Sequence, residues 1–149
     1  MLQIGDKMPS FQVMDQDGNL VRSEDLAGKK TIIYFYPKDN TSGCTAEACS
    51  FRDNYAQLTA AGYNVIGVSK DSAKSHSGFR EKHSLPFRLL SDTSTAMLQA
   101  FGAWGEKKMY GKTVIGTLRR TFIFDEQGIL TRIIEKVDTG KAAEQILEG

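Results

Sequence analysis

The chain has 149 residues, 40% of them hydrophobic, with 19 Lys and Arg against 18 Asp and Glu for a formal net charge of +1. This size fits a single domain, residues 1–149, able to bury a core without disulfide staples, and the composition excludes general disorder. The balanced charge excludes the basic footprint of a nucleic-acid binder or an anionic-membrane binder. The N-terminal stretch from Met1 to Met8 lacks the apolar run and small-residue cleavage site of a signal peptide, and no apolar run approaches membrane-spanning length, so the expected location is cytoplasmic. In that reducing setting two cysteines five positions apart point to metal binding, redox chemistry or inert thiols before a permanent staple.

Taken in chain order, Phe11–Met14 and Asn19–Arg22 flank Asp-Gly and predict an N-terminal β-hairpin. Thr31–Tyr36 is apolar on both faces, as a central strand covered by helices would be, and Pro37 ends it. Ala48, Phe51, Tyr55 and Leu58 recur at helical spacing and predict one helix from Cys44 to Ala61, closed by Gly62. A strand over Asn64–Ser69 follows, then a helix from about Ser72 to Ser84, a short strand Phe87–Leu90 and a helix near Ser94–Phe101. Gly102–Thr117 reads as a long connection with some extended structure. Leu118–Asp125 and Ile129–Val137 form a second hairpin around Gly128, and Lys141–Glu148 is a terminal helix. The expected class is α/β: a central mixed sheet flanked by helices, in the manner of a thioredoxin-like fold.

Three motif-like strings fail on inspection. The segment Asp15-Gln-Asp17-Gly18 begins like a calcium loop but has Leu20 where glycine is required and Leu26 where glutamate is required, so it is a turn. Gly105 to Thr113 has one residue too many for a phosphate-binding loop and leads into Val114-Ile115 instead of a helix. His76 and His83 stand seven apart on one predicted helix without a third ligand nearby in sequence, and are expected to be solvated surface residues.

The informative stretch is Pro37-Lys-Asp-Asn-Thr41-Ser-Gly-Cys44-Thr-Ala-Glu-Ala-Cys49. It sets Cys44 in the first turn of a helix, where unpaired N–H groups and the positive dipole end favour a thiolate, the reactive form of the residue. The hydroxyl of Thr41 or Ser42 is expected to cap that helix, and Thr41 is placed to hydrogen-bond a substrate oxygen. Five helical residues separate two Cα atoms by about 8.7 Å, beyond the roughly 7 Å that a disulfide spans. If Cys44 and Cys49 pair, the helix must unwind over at least its first turn. The alternative is that Cys49 is a small buried hydrophobe.

Pro37, Thr41 and Cys44 match the P-x-x-x-T-x-x-C signature of peroxiredoxins, and Cys44-Thr-Ala-Glu-Ala-Cys49-Ser-Phe-Arg-Asp53 resembles the peroxiredoxin Q, or bacterioferritin comigratory protein, subfamily. The resemblance extends through Gly5–Pro9, Trp104–Thr113 and Gly116–Phe122, nearly the whole chain. It implies a thiol peroxidase that reduces hydrogen peroxide and organic hydroperoxides without cofactor or metal. Cys44 is then the nucleophile, Cys49 the resolving thiol within the same chain, and thioredoxin or a similar dithiol the reductant. Pro37 shields the pocket, Thr41 positions the peroxide, and the family's active-site arginine maps onto Arg119 through its R-x-T-F pattern. Arg119 and its neighbour Arg120 should face opposite sides of a strand, so only one can reach Cys44. No Gly-Gly-Leu-Gly segment and no C-terminal Tyr-Phe arm accompany the motif, and a monomer or weak homodimer is expected. Two other classes compete: a thiol-disulfide oxidoreductase, which more often carries C-x-x-C, and a binding module with inert cysteines.

Overall fold

The structure, a computed structural model, describes residues 2–149. The chain begins with β1 (Gln12–Asp15), β2 (Leu20–Arg22) and β3 (Lys30–Phe35), then two helices in succession, α1 (Ser42–Asp53) and α2 (Tyr55–Ala60). Next come β4 (Tyr63–Ser69), α3 (Ala73–His83), β5 (Arg88–Ser91) and α4 (Ala96–Phe101). The last part holds β6 (Trp104–Met109), β7 (Lys112–Thr117), β8 (Arg120–Phe124), β9 (Leu130–Ile134) and α5 (Ala142–Leu147).

Seven strands form one sheet in the order β2-β1-β5-β4-β3-β8-β9, with β3, β4 and β5 parallel and the other pairings antiparallel. The expected mixed sheet with an N-terminal hairpin is therefore present. Parallel neighbours need crossovers, and α1–α2 and α3 supply them. β3 lies between β4 and β8 and is buried from Thr31 through Phe35, which explains its unbroken apolar sequence. Its side chains alternate: Ile32, Tyr34 and the following Tyr36 pack with Cys44, Ala48, Phe51, Phe79 and Ile146, whereas Ile33 and Phe35 join Phe101, Phe122 and Phe124 on the opposite face.

The ring of Tyr34 stacks on Phe51 of α1 with centroids 4.6 Å apart and meets Phe87 edge-on at 6.0 Å. Such pairs contribute about 0.5–1.5 kcal/mol each beyond the area they bury, so Phe51 is a firm seat for the middle of α1. Below Tyr34, Gly67 of β4 has no room for a side chain, since a Cβ there would lie 2.8 Å from the Tyr34 ring carbon and oxygen and 2.9 Å from Leu89 Cδ2. The far end of α1 is tied by two bonds. Ser50 Oγ accepts from the Ala143 N–H at 3.1 Å, and Arg52 Nη1 donates to the His83 carbonyl at 2.9 Å.

Three expectations need correction. The single helix over residues 44–61 is two, broken at Asn54, whose side-chain amide donates to the Ser50 carbonyl at 2.9 Å where the turn pauses; the apolar spacing runs through the break and conceals it. The connection over residues 102–117 is a β-ribbon, β6 paired with β7 about a Tyr110-Gly111 turn. It stands apart from the main sheet, and its two faces carry glycines, lysines and threonines more than apolar residues, so it shows no apolar alternation to read. His76 is not a surface residue but fully buried, and His83 is half-buried with its ring against Phe79. The other elements lie within a few residues of their expected bounds, and Asp15–Asn19 is a turn, with Asp15 Oδ1 accepting from the Asp17 and Asn19 N–H groups. No helix among the described residues is long and apolar enough to cross a membrane.

Candidate active site

β3 delivers the chain to Pro37, and a short loop leads from there to α1. Within it Asn40 takes a left-handed turn at φ +66°, a conformation that asparagine tolerates better than most residues. Thr41 is the N-cap, extended at φ −83° and ψ 154°. The first helical bond runs from the Thr45 N–H to the Thr41 carbonyl at 2.9 Å, which leaves the Ser42, Gly43 and Cys44 N–H groups ahead of the ladder. Cys44 is thus in the first turn as expected, its side chain almost fully buried beside the positive end of the helix.

Arg119 arrives from the other side of the sheet order. β8 pairs antiparallel with β3, opposing Arg120 to Phe35 and Phe122 to Ile33. Ile123, two pleats on from Arg119, belongs to the apolar cluster that holds Cys44, whereas Phe122 and Phe124 belong to the other one. Arg119 therefore turns toward Cys44, and its Nη2 donates to Sγ at 3.2 Å. Arg120 turns away and donates to the Gly102 carbonyl at 2.5 Å, with Glu135 at 3.9 Å. The opposite-face expectation for the two arginines holds.

The residue that sequence reasoning missed is Glu47. It is wholly buried one turn after Cys44, and its Oε1 accepts from Arg119 Nη1 at 2.5 Å. Among the described residues none bonds its other oxygen, Oε2. Burial pushes the Glu47 carboxyl up to about 7, and the charge and hydrogen bond of Arg119 only partly oppose this. Arg119 itself is raised: burial works against its charge, but the Glu47 carboxylate and the Cys44 sulfur outweigh it. A charged residue three positions after the cysteine, on the same stripe as Ala48 and Phe51, was the available signal. One guanidinium thus bridges a thiol and a carboxyl, holding the sulfur in a cationic setting while being held itself.

Thr41 is placed at the site but does not cap the helix with its hydroxyl, which instead donates to the Lys38 carbonyl at 2.8 Å. Pro37 is half-buried and lines a cleft of about 440 Å³ together with Arg119, Leu118, Met109 and Lys107. Cys49 is half-buried, both cysteines are free, and both lie on the unbroken α1. Its distance from Cys44 in a regular helix is the about 8.7 Å given above, so the two thiols do not bridge in this conformation.

Behind the loop lies a second polar group. The ligand-type atoms of Asp39, Asp71 and His76 gather within 4.8 Å of one another, although the sequence offered no third partner near the histidines. Each is engaged in hydrogen bonds: His76 Nδ1 meets Asp39 Oδ2 at 2.7 Å, and Asp71 Oδ2 accepts from the Asp39 N–H at 2.9 Å and from Ser69 Oγ at 2.7 Å.

Residues 4–133 match the family model described as AhpC/TSA family. A curated relative, the putative peroxiredoxin bcp of Coxiella burnetii, is 44% identical over 146 residues, covering 97% of each chain. Peroxiredoxin Bcp of Bacillus subtilis is 43% identical over 136 residues, covering 91% of this chain and 87% of the relative. Among solved structures, a PrxQ variant from Xylella fastidiosa superposes with a TM-score of 0.92 at 32% identity, covering 99% of this chain and 94% of that one. A Xanthomonas campestris bacterioferritin comigratory protein, described in connection with alkyl peroxide reduction, gives 0.87 at 36%, covering 93% and 88%. With a thioredoxin-type sheet carrying a cysteine and an arginine in contact at a helix start, and with this similarity along nearly its full length, the chain belongs to the AhpC/TSA family, among the peroxiredoxins of the Bcp or peroxiredoxin Q kind.

Proposed function

We propose that Cys44 is the peroxidatic nucleophile of this thiol-dependent peroxidase, and that Cys49 resolves its oxidised form. The observation that carries the reading is the 3.2 Å contact from Arg119 Nη2 to the Cys44 sulfur at the start of α1. Two positive influences, the guanidinium and the helix terminus, favour the thiolate there. The thiolate attacks one peroxide oxygen in line with the O–O bond. That bond breaks, the other oxygen leaves and takes up a proton as water or alcohol, and Cys44 becomes a sulfenic acid. Cys49 then attacks the sulfenic sulfur, forming the disulfide and releasing water. A dithiol reductant, thioredoxin or a similar protein, restores both thiols by exchange.

The surrounding residues take distinct parts. Because the Thr41 hydroxyl proton is committed to the Lys38 carbonyl, its lone pairs are free to accept a hydrogen bond from the peroxide. Arg119 stabilises the thiolate and the departing oxygen, a task the Cys44 N–H shares. Pro37 shields the sulfur from bulk water. Hydrogen peroxide and small organic hydroperoxides are the substrates, without cofactor or metal, in a cytoplasmic monomer or weak homodimer whose single domain spans residues 1–149.

The test is the mass of the reduced protein after one equivalent of hydrogen peroxide. The expected product is lighter by two hydrogens, with Cys44 and Cys49 joined in one peptide pair. An unmodified protein, or a stable adduct with Cys49 still free after the reaction is complete, overturns the assignment.

A further inference from the structure

We infer that His76 is a positioning residue for the peroxide step: by holding the Asp39 carboxylate from behind, it sets the Pro37–Thr41 loop over Cys44. The inference rests on the reading of Cys44, Thr41 and Pro37 given above. The Asp39 and His76 side chains are 1% and 0% exposed. Three groups face the Asp39 carboxylate. The Tyr36 hydroxyl donates to Oδ1 at 2.6 Å, the Ser75 hydroxyl donates to Oδ2 at 2.8 Å, and His76 Nδ1 lies 2.7 Å from Oδ2. The Asp39 N–H donates in turn to Asp71.

Proton accounting shows what His76 adds. Its Nε2 lies 2.9 Å from the Leu90 carbonyl, which can only accept, so Nε2 carries a proton. The Nδ1 contact with Asp39 then needs a second proton between those two atoms, whichever of them bears it. The imidazole thereby links the loop to the backbone of β5, and because Ser75 and His76 both lie on α3, that helix serves as the brace.

Burying such a group seldom stabilises a fold more than apolar packing would, so its return here is geometric. Asp39 stands two residues after Pro37 and two before Thr41, and the next residue, Asn40, is in the left-handed conformation that turns the chain toward α1. A shift of Asp39 would move both rims of the site. In-line attack on an O–O bond demands close alignment, and small misplacements of a positioning group cost on the order of a hundredfold in rate. Alkylation of the same thiolate by iodoacetamide, which does not use Thr41 or Pro37, makes no such demand.

The experiment measures two rates on the full chain, sulfenic acid formation by stopped flow and iodoacetamide labelling of Cys44 by peptide mass. His76→Leu is expected to slow the peroxide reaction on the order of ten- to a hundredfold while labelling stays within about twofold. His76→Asn, which keeps a donor near the Nδ1 position, should recover most of the loss. In proton NMR a far-downfield imidazole resonance should be present in the parent protein and absent from both His76→Leu and Asp39→Asn. Should His76→Leu not fold, Ser75→Ala and Tyr36→Phe, each removing one donor to Asp39, must lower the peroxide-to-labelling ratio instead. A peroxide rate unchanged by His76→Leu, or parallel loss of both rates, overturns the inference. A Cys44→Ser control separates the two readings: peroxide turnover surviving in it refutes the site itself, whereas an inactive control beside a normal His76→Leu refutes only His76.

Discussion

Arg119 Nη2 meets the Cys44 sulfur at 3.2 Å across 75 residues of chain. The contact depends on strand phase: a shift of one residue in β8 would bring Arg120 to the sulfur and send Arg119 toward Gly102. Removing a charge-assisted donor of this kind costs about 2–4 kcal/mol in a barrier, or on the order of 30- to 1000-fold in rate. Arg119→Met should slow the reaction of the reduced enzyme with peroxide by that factor, while Arg120→Met changes the rate much less. Stopped-flow measurement of both variants checks this, and a larger loss for Arg120 would contradict it.

Glu47 gives stability a pH dependence of definite sign. Its carboxyl titrates near 4.5 in an unfolded chain and is pushed up to about 7 by burial in the native protein, so between those values the folded state keeps a proton that the unfolded state has lost. The contribution is full below pH 4.5 and lost as pH rises through about 7, amounting to about 3 kcal/mol. Urea unfolding of the reduced protein and of Glu47→Gln at a series of pH values should show the difference, parent minus variant, falling between about pH 5 and 7. A difference that rises over that interval has the wrong sign for a buried, proton-retaining carboxyl.

Cys44→Ser should abolish peroxide reduction, because a hydroxyl is a far poorer nucleophile than a thiolate at neutral pH. Cys49→Ser should keep the first turnover fast yet stop recycling by thioredoxin, leaving Cys44 as a sulfenic acid that drifts to sulfinic acid under excess peroxide. A thioredoxin-coupled assay with mass readout distinguishes the two. Normal recycling in the Cys49 variant would remove it from the resolving role.

Oxidation should loosen α1 from its start and not from its end. Cys44 and Cys49 cannot bridge within the regular helix, whereas Phe51 is stacked on Tyr34, and Ser50 and Arg52 are bonded to α5 and the end of α3. Hydrogen exchange is expected to show lost protection from Thr45 toward Phe51 on disulfide formation, with α2 unchanged. Equal protection in both redox forms would mean that no such unwinding occurs.

Much of this site could be read from sequence because its parts are local. Thr41, Cys44 and Cys49 lie on one helix and its cap, and Pro37 ends the strand before it, so spacing alone conveyed their order. The phase of β8 was harder, since both faces of Arg119-Arg120-Thr121-Phe122 are partly buried and alternation could not choose between the arginines; the R-x-T-F pattern could. His76 was misjudged for a physical reason. It sits among lysines and serines on α3, so its neighbours in sequence look like a solvated face, and only the fold brings Asp39 and Leu90 to it. Residues 102–117 were read only as a connection with some extended structure, because the paired strands β6 and β7 carry no apolar rhythm.

The tight floor beneath Tyr34 makes Gly67 a clearance for the nucleophile's helix. An added methyl at that position would collide with the Tyr34 ring and with Leu89, and among that ring's aromatic neighbours is Phe51, about two turns along α1 from Cys44. Gly67→Ala would therefore press on the Tyr34 ring, and through it on its seat against Phe51 of α1, the helix that carries Cys44, whereas Arg119 comes in beside β8 on the far side of β3. A mid-strand residue outside the site thus leaves room for the ring on which the nucleophile's helix is seated.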